Sequence, residues 1–519
     1  MARIDIPIPG RDEDYNSRKS KATLLNLMVE QNRDGSFKAI KKREGVTTLA
    51  TLSEPATSNI VRRGAQAAGL NQSYDAWITG TTNLFTINFD ITGFSGITNI
   101  GAHGINGFSG VQLIQSTNRP AGATEDQLIG IENSLQASGG DGFIFDGAIN
   151  PIVDPDFSGG ARSGDFLNSR FWFVLRNNKV FFCSEAGNGL NYDPLAFASA
   201  DETDGQLYAA RSTGSNLWLF KNSRIEYWQT FSDPTFPLRR VQGASLDVGI
   251  TSFANITPID KLKDAIAFFA NDSTVKVITG SQVTQVSDED LALRIVGDGT
   301  AERDGDDRLT PFLSMVDRPN HRYVILTMFD SYEISPPITE GFTWVYDIKT
   351  GQSHYRSSPN LDYWRPYYGH SFTGPDNKYY TVMMGNEYSR SSGQFNDANI
   401  YKLDPDAYTD DGTSFPCVLQ SASLSFDTDR VIEYIEVEME TGVGNAASPN
   451  PVMTVEYSKD GGATFNTWGD VELGESGDAQ NRIRMNSFGR LVRHRDFILR
   501  LTIEEPVRVE IYGLYGWFS

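Results

Sequence analysis

The side chains with which this chain could do chemistry are few and scattered. Its five histidines are His103, His321, His354, His370 and His494. No two stand three or four residues apart, so no helical pair is available to hold zinc. Two cysteines, Cys183 and Cys417, are too few for a disulfide framework or a thiolate metal site. Both neighbour apolar or aromatic residues and read as buried thiols. There is no Gly-x-Ser-x-Gly elbow and no Gly-x-x-x-x-Gly-Lys-Ser/Thr phosphate loop. The densest acidic group is Asp304, Asp306 and Asp307. It offers the hard oxygen ligands that calcium takes but lacks the EF-hand spacing and its closing Glu. A solvated acidic loop, a candidate to face a channel, is the simpler expectation. No catalytic residue, metal site or cofactor is expected.

Two further patterns involve charge without catalysis. Ser458-Lys459-Asp460-Gly461-Gly462-Ala463-Thr464-Phe465 resembles the Asp-box of sialidase-type propellers, with Phe in place of Trp. In that motif Asp caps backbone amides and Gly takes the left-handed conformation, so Ser458, Asp460, Gly461 and Gly462 are expected to form a structural turn. Arg482, Arg484, Arg490, Arg493, Arg495 and Arg500 form a basic run in an acidic chain. Arg suits paired carboxylates and phosphates, so Arg482, Arg484, Arg490, Arg493 and Arg495 are candidate contacts to a partner or a second subunit. Charged outward positions of edge strands, which discourage aggregation, would give the same pattern.

The formal net charge is −21. A protein that grips DNA needs a positive face. This chain as a whole repels polyanions, which suits no contact with nucleic acid, a conduit through which DNA slides, or acidity for solubility alone. No apolar run approaches the length of a membrane span. The start, Met1-Ala2-Arg3-Ile4-Asp5, has no apolar signal segment, so synthesis and retention in a cytoplasm are expected.

The elements that would position these residues are strands. Aromatics reach 12% and there are 48 Gly, which favours β-structure and many turns. Phe171-Trp172-Phe173-Val174-Leu175, a turn at Arg176-Asn177-Asn178-Lys179 and Val180-Phe181-Phe182 make one hairpin. Leu217-Trp218-Leu219-Phe220, a turn at Lys221-Asn222-Ser223-Arg224 and Ile225-Glu226-Tyr227-Trp228 make its look-alike. Comparable pairs recur, and one marker from each gives Trp77, Ile129, Trp172, Trp218, Phe268, Tyr323 and Tyr380, spaced 43 to 57 residues apart. Propeller blades of four short strands take about 40–50 residues each. The expected fold is all-β: a β-propeller of six or seven blades over residues 61–415, after an extended N-terminal segment, 1–60. Residues 416–519 change character. Val431-Ile432-Glu433-Tyr434-Ile435-Glu436-Val437 alternates like a half-exposed strand, and a C-terminal β-sandwich is expected, with strands that could return to the propeller. Helix signals are confined to a short turn from Asp288 to Leu293.

Three ordered stretches then carry a family resemblance. The first is Asp154-Pro155-Asp156-Phe157 with Phe181-Phe182-Cys183-Ser184-Glu185 and Leu195-Ala196-Phe197-Ala198-Ser199-Ala200-Asp201. The second is Asn216-Leu217-Trp218-Leu219-Phe220 with Ile225-Glu226-Tyr227-Trp228-Gln229 and Gly243-Ala244-Ser245-Leu246-Asp247-Val248-Gly249. The third is Val437-Glu438-Met439-Glu440-Thr441-Gly442-Val443-Gly444 with Tyr457-Ser458-Lys459-Asp460-Gly461-Gly462 and Phe488-Gly489-Arg490. Together, over roughly residues 75–519, they resemble the packaged-DNA stabilisation proteins of short-tailed phages, also called tail hub, nozzle or head-completion proteins.

The resemblance implies a structural role without enzymatic activity. It implies a homo-hexamer ringing the DNA exit channel below the portal and its adaptor, the head-to-tail connector. A tail needle or plug would lie below and fibres or spikes at the side. The ring would retain packaged DNA and later form part of the ejection conduit. DNA would pass without sequence-specific binding. The location implied is the virion tail, with assembly in the host bacterial cytoplasm. Six copies at −21 each would carry −126. Two other classes compete: a glycan-binding or glycan-cleaving propeller, which needs two carboxylates in one cleft, and a non-catalytic receptor-binding tail protein.

Overall fold

A computed structural model of the chain describes residues 2–9, 22–62, 74–105, 110–116, 126–132, 142–157, 161–252, 256–257, 265–288, 291–292, 294–295, 309–330, 341–385, 388–389, 394–395, 397–478 and 482–519. It is an all-β structure of many small sheets. Helical residues are confined to 291–292 and 294–295 among those described, where the Asp288 carboxylate accepts from the Leu291 amide at 3.0 Å. No helix among them is long and apolar enough to cross a membrane.

The seven marker residues fall in seven successive antiparallel sheets. Four of these are four-stranded meanders of consecutive strands. They begin at Val61–Arg62, Val111–Gln115, Ala161–Leu167 and Leu207–Thr213. The fifth sheet, Ala265–Phe269, Val275–Thr279 and Gln282–Gln285, is extended by a bridge from Ile256 to Phe268. The first four strands of the sixth run from Leu309–Arg318 to Gln352–Arg356, and that sheet continues beyond them. The seventh takes Pro366–Thr373, Tyr379–Gly385 and Asn399–Asp404, and adds Gly45–Thr51 from the N-terminal segment as its outer strand.

The look-alike hairpins share more than sequence. Trp172 and Trp218 each lie on the second strand of a sheet, are buried, and donate five residues back. The Trp172 indole reaches the Leu167 carbonyl at 3.0 Å and Trp218 the Thr213 hydroxyl at 2.8 Å. A buried indole N–H must find an acceptor, and the same geometry supplies one twice. Asn177 in the first turn has φ 50°, which Asn tolerates better than most residues.

Apolar clusters join each sheet to the next. Trp77 meets Phe145 with ring centroids 4.7 Å apart, Phe157 meets Tyr192 at 5.0 Å, Phe181 meets Trp228 at 4.9 Å, and Phe220 meets Phe268 at 5.4 Å. Leu326 and Trp344 of the sixth sheet pack with Ala267 and Val277 of the fifth, and Tyr323 packs with Met383 and Tyr401 of the seventh. The succession returns to its start: Phe89 of the first sheet lies 4.9 Å from Phe372 and 4.7 Å from Tyr380 of the seventh.

The C-terminal strands form two sheets over one further core. A six-stranded sheet contains Leu27–Gln31, Phe37–Lys42, Glu510–Phe518, Arg430–Met439 and Arg482–Leu491, with Ala2–Asp5 also on Glu510–Phe518. Opposite it, Cys417–Gln420, Ile498–Ile503, Val452–Ser458 and Asn466–Glu472 continue the sixth sheet through Thr23–Leu25, which pairs parallel to Gln352–Arg356 and antiparallel to Cys417–Gln420. Ile435, Val437, Met485 and Leu514 from one sheet meet Met453, Val455, Leu499 and Leu501 from the other. The alternation in Arg430–Met439 is not unbroken. The register shifts between Ile432 and Tyr434, so Ile432 and Ile435 are both buried. A bulge changes the phase of the strand at that point.

Candidate functional site

Two buried polar clusters distinguish this molecule from a set of apolar sheets. The first lies where the opening strands of the sheets converge. Gln112 of the second sheet exchanges two 3.1 Å hydrogen bonds with the backbone of Gly164 in the third. Arg211 of the fourth sheet is buried and donates to the Ser163 hydroxyl at 2.9 Å, the Thr257 carbonyl at 2.9 Å and the Ala210 carbonyl at 2.7 Å. Burial lowers its guanidinium to about 10, against the attraction of Asp165 and Tyr368. The Tyr368 phenol, on the seventh sheet, is raised to about 12 by burial, with Arg211 opposing. Asp165 accepts from the Ser212 amide at 2.6 Å and hydroxyl at 2.7 Å. Arg211 thus gathers side chains of the third and seventh sheets and a backbone carbonyl beside the fifth. Buried polar groups persist where hydrogen bonds replace water, and this set reinforces junctions that apolar clusters also make.

The second cluster joins the N-terminal segment to the sixth and seventh sheets. Arg43 is fully buried. It donates to both oxygens of Asp410 at 2.9 and 2.7 Å, to Asn26 Oδ1 at 2.8 Å and to the carbonyls of Glu44 and Ser357. Its guanidinium lies 3.7 Å from the Phe415 ring centroid. The bidentate fork fixes direction as well as charge. Glu44 receives Arg318 at 3.0 Å. Burial opposes ionisation of Glu44, but Arg318 and Arg356 outweigh it and hold the carboxyl below its usual range. Arg356 donates Nε to His354 Nε2 at 3.0 Å and stacks between Tyr323 and Trp364, 4.6 and 4.8 Å from their ring centroids. Burial and the Arg356 charge push His354 well below its ordinary value, so it accepts as the neutral ring.

His321 clasps the same junction. Nδ1 lies 2.7 Å from Asp347 and Nε2 3.2 Å from Glu30, which belongs to the strand Leu27–Gln31. Burial disfavours the imidazolium, but the hydrogen bonds and charges of Asp347 and Glu30 lift it to about 9. The two cysteines are buried, which raises Cys183 to about 12 and Cys417 to about 11, against the opposing charge of Arg170 beside the first and of Lys42 and Arg43 beside the second. Neither is a nucleophile at neutral pH.

The residues singled out by sequence lie apart from these clusters. Ser458 Oγ donates to Asp460 at 2.6 Å and accepts from the Gly462 amide at 2.9 Å, while Asp460 takes the Thr464 amide and hydroxyl at 2.9 and 2.6 Å. The Ser458 hydroxyl and then Thr464 hold the Asp460 carboxyl at about 2. Gly461 and Gly462 have φ of 75° and 93°, where a side chain would be strained. These bonds lie within the turn, while the Gly461 amide donates to the Asp496 carbonyl at 3.1 Å and ties the turn to the rest of the domain.

Arg482, Arg484 and Arg490 lie on Arg482–Leu491, an edge strand. Arg482 faces Glu436 at 3.7 Å and Glu438 at 4.0 Å, Arg484 sits 3.5 Å from the Tyr434 ring centroid, and Arg490 pairs with Asp429. Arg493 and Arg495 are exposed in the loop that follows. Asp304, Asp306 and Asp307 lie outside the described residues. Among the described residues no group of three or more His, Cys, Asp or Glu could hold a metal ion. Sequence reasoning missed Arg43, Arg211 and His321. Their only local signal is a polar residue in or next to a strand.

The class this defines is an all-β protein of successive small sheets with two buried polar clusters. Residues 68–297, which begin after the opening strand of the first sheet and run past the fifth, match the model of a family described as bacteriophage P22 Gp10, beta-propeller. This supports, at a coarse level, a phage tail or DNA-stabilisation structural protein that is a component of the virion. No curated protein matches by sequence. Solved structures that align include Saccharomyces cerevisiae core factor at 8% identity, covering 72% of this chain and 60% of that one with a TM-score of 0.35. Kluyveromyces lactis Hsv2 aligns at 10% identity, over 64% and 99%, with a TM-score of 0.30. A glycoside hydrolase aligns at 8% identity, over 97% and 100%, with a TM-score of 0.24. Likenesses this slight say nothing about function.

Proposed function

We propose that the chain is a structural subunit of a short-tailed phage tail, a hub or nozzle protein. In this reading it rings the DNA exit channel below the portal and adaptor, retains packaged DNA and later forms part of the ejection conduit. The observation that carries the reading is the family match over residues 68–297. The geometry supplies two supports. In this reading the seven sheets, with apolar contacts returning from the seventh to the first, are the blades of a propeller that Gly45–Thr51 would close, and the two C-terminal sheets are an appended sandwich. Closure hides strand edges and stiffens a part that bears pressure. On this reading Arg211 and its partners, on the opening strands, would lie toward the propeller axis. DNA would therefore pass between copies of the chain, not through one.

The partners in this reading are five further copies, the portal adaptor, a needle or plug, and fibres or spikes. No turnover is assigned to the chain. Electron cryomicroscopy of intact particles tests this. The expected density is a ring of these subunits about the tail axis. A single copy, or copies only at the tail periphery, would overturn it.

A further inference from the structure

Two exposed apolar patches on distant parts of the chain carry opposite charge. Val153, Leu195 and Phe197 are 82%, 73% and 53% exposed, and Val492 and Val431 are 51% and 41% exposed. Large apolar groups left this open, and grouped, mark contact surfaces.

The first patch is on the third sheet. Leu195 and Phe197 lie two apart on Asn188–Ser199, the edge strand of that sheet, and so share a face. Val153 is brought to the same sheet by its neighbour Asp154, whose carboxylate accepts from the Tyr192 amide at 3.0 Å, three residues before Leu195. The rim is acidic, with Asp154, Asp156 and Asp193. Arg170, on the same sheet, is held by the carbonyls of Ser184 and Pro234 at 2.7 and 2.6 Å.

The second patch is on the C-terminal sheet. Val431 stands opposite Arg490 in register, and Val492 follows that strand. Asp429 pairs with Arg490 and accepts the Arg493 amide at 2.8 Å, which brings the loop against the same edge. With Asp429 taken by Arg490, the exposed side chains of Arg493 and Arg495 and Lys459, fixed on the Arg490 carbonyl at 3.1 Å, outnumber the carboxylates of Asp427 and Glu433 and leave this edge positive on balance. Arg482 and Arg484 are engaged by Glu436, Glu438 and Tyr434 and lie outside the patch.

We infer that the acidic-rimmed patch at Val153 and Leu195 docks the basic patch at Val431, Val492, Arg493 and Arg495 of a second copy. Each patch pairs an apolar centre with a charged rim, as protein interfaces do, and the rims attract. The contact is head to tail, since the two surfaces differ, and head-to-tail contacts build rings or filaments. The inference rests on the ring reading above and names the surfaces that would make it.

The test uses the full chain and two variants at exposed positions, Val153→Asp/Leu195→Asp and Arg493→Glu/Arg495→Glu. Analytical ultracentrifugation measures self-association, with thermal unfolding to check that each variant melts as the wild type does. The wild type is expected to assemble and each variant alone to associate at least about tenfold more weakly. An equimolar mixture of the two variants keeps one intact contact, so it is expected to form dimers and nothing larger. A variant that assembles like the wild type, or a mixture that stays monomeric or grows past dimers, overturns the pairing while leaving the ring reading standing. A wild type that stays monomeric to about 100 µM sinks both.

Discussion

Arg43 shows how one side chain can decide a junction. Asp410 is 10% exposed and its partner Arg43 is fully buried. Breaking such a pair on one side leaves a charge without compensation, at about 3–5 kcal/mol. Arg43→Met is therefore expected to lower the unfolding free energy measured in urea by that order, and with it the midpoint, and Arg43→Met/Asp410→Leu to recover part of the loss. Equal midpoints for wild type and Arg43→Met would show that the pair does not brace the fold. His321 makes a pH-dependent contribution. Its folded value of about 9 lies above the ordinary 6.5, so its stabilisation is complete below about 6.5 and is lost as pH rises through 9. Glu30 and Asp347 are lowered and act in the other direction, losing their contribution only when acid protonates them. Stability between pH 7 and 9.5 is expected to fall in the wild type and to stay flatter in His321→Gln. Parallel curves would remove His321 from the account.

Gly45–Thr51 is the element that completes the seventh sheet. It pairs with Asn399–Asp404 across nearly the whole chain, so the sheet closes only when both ends of the segment 45–404 are in place. Thr48 donates its amide to Asp411 at 2.5 Å and its hydroxyl to the same carboxylate at 2.7 Å. Thr48→Pro removes a donor and is expected to cost roughly 1–3 kcal/mol. Hydrogen exchange would locate the effect, with protection lost in Tyr379–Gly385 and Asn399–Asp404 and kept in Val452–Ser458. Uniform loss across both would mean that the closing strand is not a local clasp. The edge strand Arg482–Leu491 illustrates a different device: its arginines face glutamates and a tyrosine on the neighbouring strand, so charge covers an edge that could otherwise pair.

At the scale of the whole molecule, the net charge of −21 bears on DNA. A conduit needs a wall that does not retain the polyanion, and few released counterions mean weak binding. Filter binding of duplex DNA to the chain at about 150 mM salt is expected to give no saturation below a Kd of about 10⁻⁴ M. Tight, salt-sensitive binding would contradict the conduit reading and point to a positive lining.

Much of the all-β architecture was legible in the chain itself. Strands have a period of two and their turns have chemical signatures, so hairpins such as Phe171–Phe182 can be read from neighbours alone. The Asp460 turn is local in the same way. Other features depend on residues far apart in sequence. Arg43 meets Asp410 over 367 positions, and nothing in Lys42-Arg43-Glu44 announces a buried fork. The bulge between Ile432 and Tyr434 exposes Val431 by changing the strand's phase, which an alternating sequence cannot reveal. Local stereochemistry determines which segments extend and where they turn. Only the packed whole decides which distant strand completes a sheet and which charge is buried, because those choices are set by burial and pairing energies that exist only once the chain has closed.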